Sequence, residues 1–289
     1  TGTLTSTTCP WCNAPIQREN IHTATHRIPV DAVMPFLIDK SRAQLVLKEW
    51  INSRWFAPNE FRRRGINGKF DGFYLPFWTY DSMTFNVYVG QRGEDYTVVV
   101  GSGKNQRTET RTHWYPASGR FQRFFDDVLV CASEGLPTEL INELEPWPIE
   151  RMVPFTQQLL AGFFARTYDV TLDRGFDISC DRMRAALEVD VRRRIGGDRQ
   201  QVDTIQTRHD AITFKHLLLP VWMLAYRYHD KTFRVFVNAA TGEVQGERPY
   251  SWAKITLLVL AIVAAIAAVF AMQSSGGGDS FHGSIQFNP

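Results

Sequence analysis

Apolar and polar positions along this chain alternate with two different periods. Ala43, Leu47, Trp50 and Ile51 recur at three- and four-residue spacing, which predicts one apolar face on a helix of about 14 residues, with Asp39 placed as its N-cap. Met183, Leu187, Val191 and Ile195 repeat the helical period and predict a helix over about 180–195. Thr156 is expected to cap a further helix carrying Leu159, Leu160, Phe163 and Phe164. Elsewhere, runs rich in aromatic and β-branched residues predict strands at Phe73–Asp81, Met83–Val89, Arg107–Tyr115, Phe121–Cys131, Ala211–His229 and Thr232–Val237. Asp230-Lys231 joins the last two, and Ala240-Thr241-Gly242-Glu243 marks a second turn. Residues 133–148, broken by Pro137, Pro146 and Pro148, predict a short helix and a linker.

Near the C-terminus the periodicity disappears. From Ile255 to Met272 every residue is apolar except Thr256. At about 1.5 Å per residue the run reaches about 27 Å, near the hydrocarbon thickness of a bilayer. Tyr250 and Trp252 precede it as interfacial rings, and Lys254 is placed to snorkel. Arg234, Arg248 and Lys254 lie before the run, and residues 273–289 hold no Lys or Arg. This pattern predicts a single-pass anchor with the body cytosolic and the tail outside. Small residues at Ala261, Ala264, Ala265 and Ala268 have the spacing that permits pairing of such spans into a homo-oligomer.

Two motif series recur in the body. Met34-Pro35-Phe36 and Val153-Pro154-Phe155 each precede an expected helix, and Leu75-Pro76-Phe77-Trp78 and Leu219-Pro220-Val221-Trp222 each open an expected hairpin. The expected fold class is therefore α+β: two related helix-plus-antiparallel-hairpin lobes after a partial zinc ribbon, followed by one C-terminal transmembrane helix. The expected divisions are 1–27 for the partial ribbon, 28–148 and 149–249 for the lobes, 250–272 for the membrane helix and 273–289 for a flexible tail. Trp78 and Trp222 read as core packing.

Composition narrows the function classes. Lys plus Arg is 32 against 30 for Asp plus Glu, a net charge of +2, which disfavours a nucleic-acid coat. Hydrophobic residues at 44% and charged residues at 21% exclude disorder over most of the length. The 4 cysteines do not make a disulfide scaffold, and Cys131 and Cys180 read as buried free thiols. Cys9-Pro10-Trp11-Cys12 is a C-x-x-C knuckle with three readings: half of a zinc ribbon whose other two cysteines lie upstream, a zinc site completed by His22 and His26, or a redox pair. Gly101-Ser102-Gly103-Lys104 ends like a phosphate-binding loop, but Val98 and Asn105 occupy the positions that need Gly and Ser or Thr. Asp279, Ser280 and His282 have hydrolase-like types without a scaffold around them. Arg62, Arg63 and Arg64 are candidates for headgroup or partner contact, and Arg192–Arg194 reads as a salt-bridged helix face.

The order Cys-Pro-Trp-Cys, Met-Pro-Phe, Trp55-Phe56-Ala57-Pro58, Leu-Pro-Phe-Trp-Thr-Tyr-Asp, Gln91-Arg92-Gly93, Phe124-Phe125-Asp126-Asp127-Val128-Leu129-Val130 and Leu-Leu-Leu-Pro-Val-Trp resembles a bacterial family of membrane-anchored proteins with a TFIIB-type zinc ribbon. Some of its members carry the label primosomal protein N′ or replication-restart helicase, an activity that needs an ATP site for which this sequence has no motif. Residues 235–246 are similar to the last hairpin of a PepSY-type module. The resemblance implies one zinc on Cys9 and Cys12 with two further cysteines upstream, a place at the bacterial inner membrane, and partners among scaffold proteins of the SPFH or phage-shock type. The expected function is a non-enzymatic, membrane-anchored adaptor. A tethered nucleic-acid-binding module and an enzyme without a recognisable motif stand as alternatives.

Overall fold

Alternation of aromatic and β-branched residues continues through positions where the sequence suggests breaks, and the strands are accordingly long. The computed structural model describes residues 6–8, 15–17, 27–54, 69–103, 106–228, 231–247 and 251–275. Strand β4 runs unbroken over Lys69–Val100 (32 residues), β5 over Arg107–Cys131 (25 residues) and β8 over Arg199–Tyr228 (30 residues). The expected break at Ser82 is a change of register: β5 bulges opposite Asp81, at Asp127, and β8 opposite Ser82, at Ala211, and these two residues take φ of 49° and 50°. β4 is antiparallel to both neighbours, so β5–β4–β8 forms a three-stranded ribbon.

At its base the ribbon widens. β8 pairs antiparallel with β9 (Lys231–Asn238), which pairs with β10 (Val244–Gly246). β3 (Ala32–Val33) lies parallel to β8 and antiparallel to β6 (Val153–Pro154). β7 (Phe164–Ala165) adds parallel to β4 at Phe73 and Tyr74. Together these make one mixed sheet of 8 strands, apart from a short hairpin of β1 (Ser6–Thr8) and β2 (Pro15–Gln17).

The expected fold class is corrected on this point. The strands assigned to two lobes pair with each other in a single sheet, because each Leu-Pro-x-Trp motif is the other's strand partner: Leu75 faces Leu219, Pro76 faces Leu218 and Tyr74 faces Pro220. That register sets the recurring motifs about a local two-fold. The two tryptophans keep the relation, since Trp78 Nε1 donates to the carbonyl of Val170 and Trp222 Nε1 to that of Ile38, both at 2.9 Å. Each acceptor immediately precedes a helix N-cap. Asp39 caps α1 (Lys40–Ser53) by accepting from the Arg42 amide at 2.7 Å, and Thr171 caps the helix that begins at Leu172. The short α2 is Thr138–Asn142, and the long α3 is Leu172–Ile195, closed by Gly196 at φ 67°.

Helices α1 and α3 cover one face of the sheet. Ala43, Leu47 and Ile51 pack with Phe70, Trp222 and Val235, and Met183, Leu187 and Val191 pack with Trp78, Tyr80 and Tyr88. Gly175 lets α3 approach closely, since a Cβ there would lie 2.4 Å from Tyr80 Oη. The opposite face is covered only at the base, where Ile141, Leu144 and Trp147 bury Phe73, Leu75 and Phe77. The helix expected after Thr156 is a short 3-10 turn, Gln157–Leu160, because Gly162 leaves the helical region at φ 84° and Phe163 stacks on Phe36 at 3.9 Å.

The C-terminal apolar run does form a helix, α4 (Trp252–Ser275), with Leu257, Leu260 and Val263 exposed. Among the described residues no helix is long and apolar enough to cross a membrane, so the expected transmembrane helix and the single-pass inner-membrane location are corrected.

Candidate functional site

The part of the sheet that is least explained by packing is the ribbon beyond the bulges. On its helix side every polar group has work to do. Thr207 Oγ1 donates to Asn86 Oδ1 at 2.8 Å, Asn86 Nδ2 donates to Thr84 Oγ1 at 3.0 Å, and Thr84 Oγ1 donates to the carbonyl of Arg123 at 2.8 Å. Arg123 bridges to Asp190 of α3 at 2.7 Å and lies over Phe125, while Arg194 lies over Phe121. This buried chain of hydrogen bonds ties β4, β5 and β8 together beneath α3.

The other face of the same strands is open. Because successive residues point to opposite sides, Phe85, Val87, Arg120, Gln122, Gln206 and Arg208 line a shallow groove of about 570 Å³. The guanidinium of Arg208 sits 4.7 Å from the Phe85 ring centroid and pairs with Asp210 at 2.9 Å. Phe124, 54% exposed, stands at the base end of this face, with Val87 and Val89 toward the tip.

Both edges of the ribbon are also unpaired among the described strands. β5 pairs with β4 alone, and from Arg199 to Lys215 the outer side of β8 carries no described strand. Pro116 and the bulges at Asp127 and Ala211 interrupt these edges, a common guard against indiscriminate edge pairing. The uninterrupted stretches are Ala117–Asp126 on β5 and Thr204–Asp210 on β8.

A polar cluster marks where the covered base ends. Asp81, Asp126 and Asp127 place carboxylate oxygens within 4.8 Å of one another. Lys215 Nζ lies 3.0 Å from Asp127 Oδ1, Thr213 Oγ1 donates to Asp81 at 2.7 Å, and the Asp127 amide donates to Asp81 at 2.8 Å. Partial burial pushes the Asp81 carboxyl upward, but the Asp127 amide, the Thr213 hydroxyl and the Lys215 ammonium outweigh it and hold it below the ordinary range. The bond to Asp127 is the main cause that raises Lys215 above its ordinary value. The cluster locks the double bulge, with a lysine already supplying its positive charge.

The most strongly raised groups lie inside the core. Burial pushes Tyr74 up to about 12 and the Cys131 thiol up to about 11, and it raises Tyr80 further, helped by Asp173 and Asp177. All three hold their protons at neutral pH, so none is an activated nucleophile. Cys131 and Cys180 are free thiols, the first buried and the second half-buried.

Trp252 and Lys254, singled out from sequence, do not line this groove. Cys9, Cys12, His22, His26, Arg62, Arg63 and Arg64 lie outside the described residues. Trp252 is exposed and Lys254 half-buried at the start of α4, while the side chains of Ile255 and Met272 lie outside the described residues. Arg192 pairs with Glu188 at 2.6 Å, in keeping with a salt-bridged helix face. The Gly101–Gly103 stretch follows β4, and the next described strand is β5, so a phosphate-binding loop leading into a helix N-terminus is not what the described residues form. The ribbon face was missed in sequence because Ser82 and Pro116 read as strand ends. The available signal was that residues 83–89 keep the alternation of 73–81 in phase across Ser82.

With that geometry in place, the chain can be compared with known proteins. It is similar to a protein of Bacillus subtilis. That relative, described as "Uncharacterized protein YdjG" in strain 168, is 27% identical over 228 residues, covering 77% of this chain and 64% of its own length. The chain thus spans slightly less than two thirds of the relative it matches. No protein-family model matches the chain, and no solved structure matches it. The expected membership of a zinc-ribbon or primosomal family is corrected on this finding. The group of potential metal ligands among the described residues is the acidic one, and Cys9 and Cys12 lie outside those residues.

Proposed function

We propose that this chain is a non-catalytic adaptor that captures an extended segment of a partner protein on the exposed ribbon. The observation that carries the reading is the asymmetry of β4, β5 and β8: among the described residues one face is sealed by α3, and the other is left open between two edges that carry no strand. An extended peptide laid along Ala117–Asp126 or Thr204–Asp210 would satisfy edge amides and carbonyls by adding a strand. Phe124, Val87 and the apolar stem of Arg120 would then offer side-chain contacts on the same face. Strand addition needs no chemistry at the site, which agrees with core positions for the strongly shifted groups.

Site-specific photocrosslinking in cells tests this. A photoreactive benzoylphenylalanine in place of Arg120 is expected to give a discrete protein adduct, and the same residue in place of Lys48, exposed on α1, is expected to give none. Equal adducts at both positions would remove the ribbon as the binding element. An adduct with DNA or RNA at position 120 would replace the adaptor by a nucleic-acid-binding module.

A further inference from the structure

The two edges of the open ribbon carry different side chains. Register across β4 sets the open face in rows, with Phe124 of β5 level with Asp210 of β8, Gln122 with Arg208, and Arg120 with Gln206. On β8 the charges are matched within the strand. Arg208 donates to both carboxylate oxygens of Asp210, Nε to Oδ1 at 3.1 Å and Nη2 to Oδ2 at 2.9 Å, and its guanidinium lies over Phe85.

On β5 they are not matched. Arg120 is exposed on the open face and forms no ion pair among the described residues. Arg123, on the opposite face, is held by Asp190 of α3 at 2.7 Å, so Arg120 is the uncompensated cation of the stretch Ala117–Asp126. Four residues beyond it, on the same face and about 13 Å along the strand, stands Phe124, 54% exposed. This edge therefore presents one charged and one aromatic contact at a fixed spacing.

We infer that β5 is the capturing edge, and that the captured segment runs antiparallel to it with a bulky apolar residue opposite Phe124 and, four residues later, an aspartate or glutamate opposite Arg120. The assignment rests on the capture reading above and adds the edge, the direction and the chemistry of the partner. β5 already pairs antiparallel with β4, and an antiparallel ladder is slightly more stable per residue than a parallel one. In that direction the residue facing Phe124 comes first and the residue facing Arg120 second. Directly opposed side chains lie about 4.5–5.5 Å apart at Cβ, close enough for an apolar contact at one site and an ion pair at the other. Pro116, which has no N–H to donate, ends the ladder on the tip side, and the bulge at Asp127 ends it at the base. The β8 edge gives no such preference, because Asp210 already neutralises Arg208.

Random dodecapeptides displayed on phage, selected on the full chain, test this. Clones that crosslink to a benzoylphenylalanine placed at Gln122 are sequenced, and they are expected to share an apolar residue followed four positions later by Asp or Glu. In a synthetic peptide of that sequence, changing the acidic residue to its amide should weaken binding to wild type about twofold to fivefold, the size of an exposed ion pair. The same change should leave binding to Arg120→Gln unaltered. Crosslinked clones without the acidic position, or with it ahead of the apolar one, would overturn the inference and leave capture on the ribbon standing. An equal loss on wild type and Arg120→Gln would do the same. Absence of any crosslinked clone would overturn the inference together with capture itself.

Discussion

The same three strands behave differently in their lower and upper halves. At the base, alternate residues Phe73, Leu75 and Phe77 are at most 2% exposed beneath Ile141, Leu144 and Trp147. On the same face further along, Val87 and Val89 are 40% and 47% exposed, because no described element covers them beyond the Asp81 cluster. Backbone alternation sets which way a side chain points, and a separate covering element decides whether that direction is interior. The strand continues regardless, since α3 alone buries enough on the other face to hold it.

Point substitutions can break this comparison directly. Phe77→Ala in the covered half should cost about 3–5 kcal/mol, the usual price of an emptied aromatic site, whereas Phe124→Ala on the open face should stay within about 0.5 kcal/mol. Urea unfolding of both variants against wild type gives the difference, and comparable losses would mean that the open face is buried in the folded protein.

Gly175→Ala probes the sealed side of the ribbon. The new Cβ would meet Tyr80 Oη at 2.4 Å and Trp78 Cδ1 at 2.9 Å, so the substitution should destabilise by about 1–3 kcal/mol even though alanine favours helices. A neutral or stabilising result would place α3 further from the sheet.

The local two-fold was partly legible in sequence, and its consequence was not. Repeated Pro-Phe and Leu-Pro-x-Trp motifs were visible, but a repeat within one sheet and a repeat between two lobes have the same one-dimensional pattern. Register Leu75↔Leu219 decides between them, and register is a long-range property. Helix α1 was legible because cap, apolar stripe and end are all local: Asp39, Ala43, Leu47 and Ile51 stand where the sequence places them. The start of α3 was read too late because Phe176, Ser179 and Gly175 face the sheet without an aliphatic stripe. Of the open face, only the alternation was readable; the absence of a cover there is a fact about where residues 136–152 lie, not about β4 itself.

Relief of strain at the junction gives a smaller effect. Ala211 takes φ 50°, a region that costs a residue with a Cβ about 1–2 kcal/mol, so Ala211→Gly should raise stability by up to about that amount in thermal unfolding. Asp127, at φ 49°, is better tolerated there because its carboxylate is tied to Lys215, and Asp127→Gly should not stabilise.

The shallowest effect is on pH dependence. Asp81 is held below its unfolded value, so its contribution is full above about pH 4 and is lost as pH falls through the folded value. Lys215 is raised, so its contribution is full below about pH 10 and is lost as pH climbs through the folded value. Asp81→Asn should flatten the acid limb of a stability–pH curve between about pH 5 and 2, and an unchanged limb would remove Asp81 from the junction.

The most direct measurement pairs capture with stability in one double variant, Arg120→Glu with Phe124→Asp, both on the open face. The expected result is loss of the protein adduct formed by a photoreactive residue at position 122, with the urea midpoint within experimental error of wild type. Retention of the adduct at wild-type yield would contradict a binding role for the ribbon.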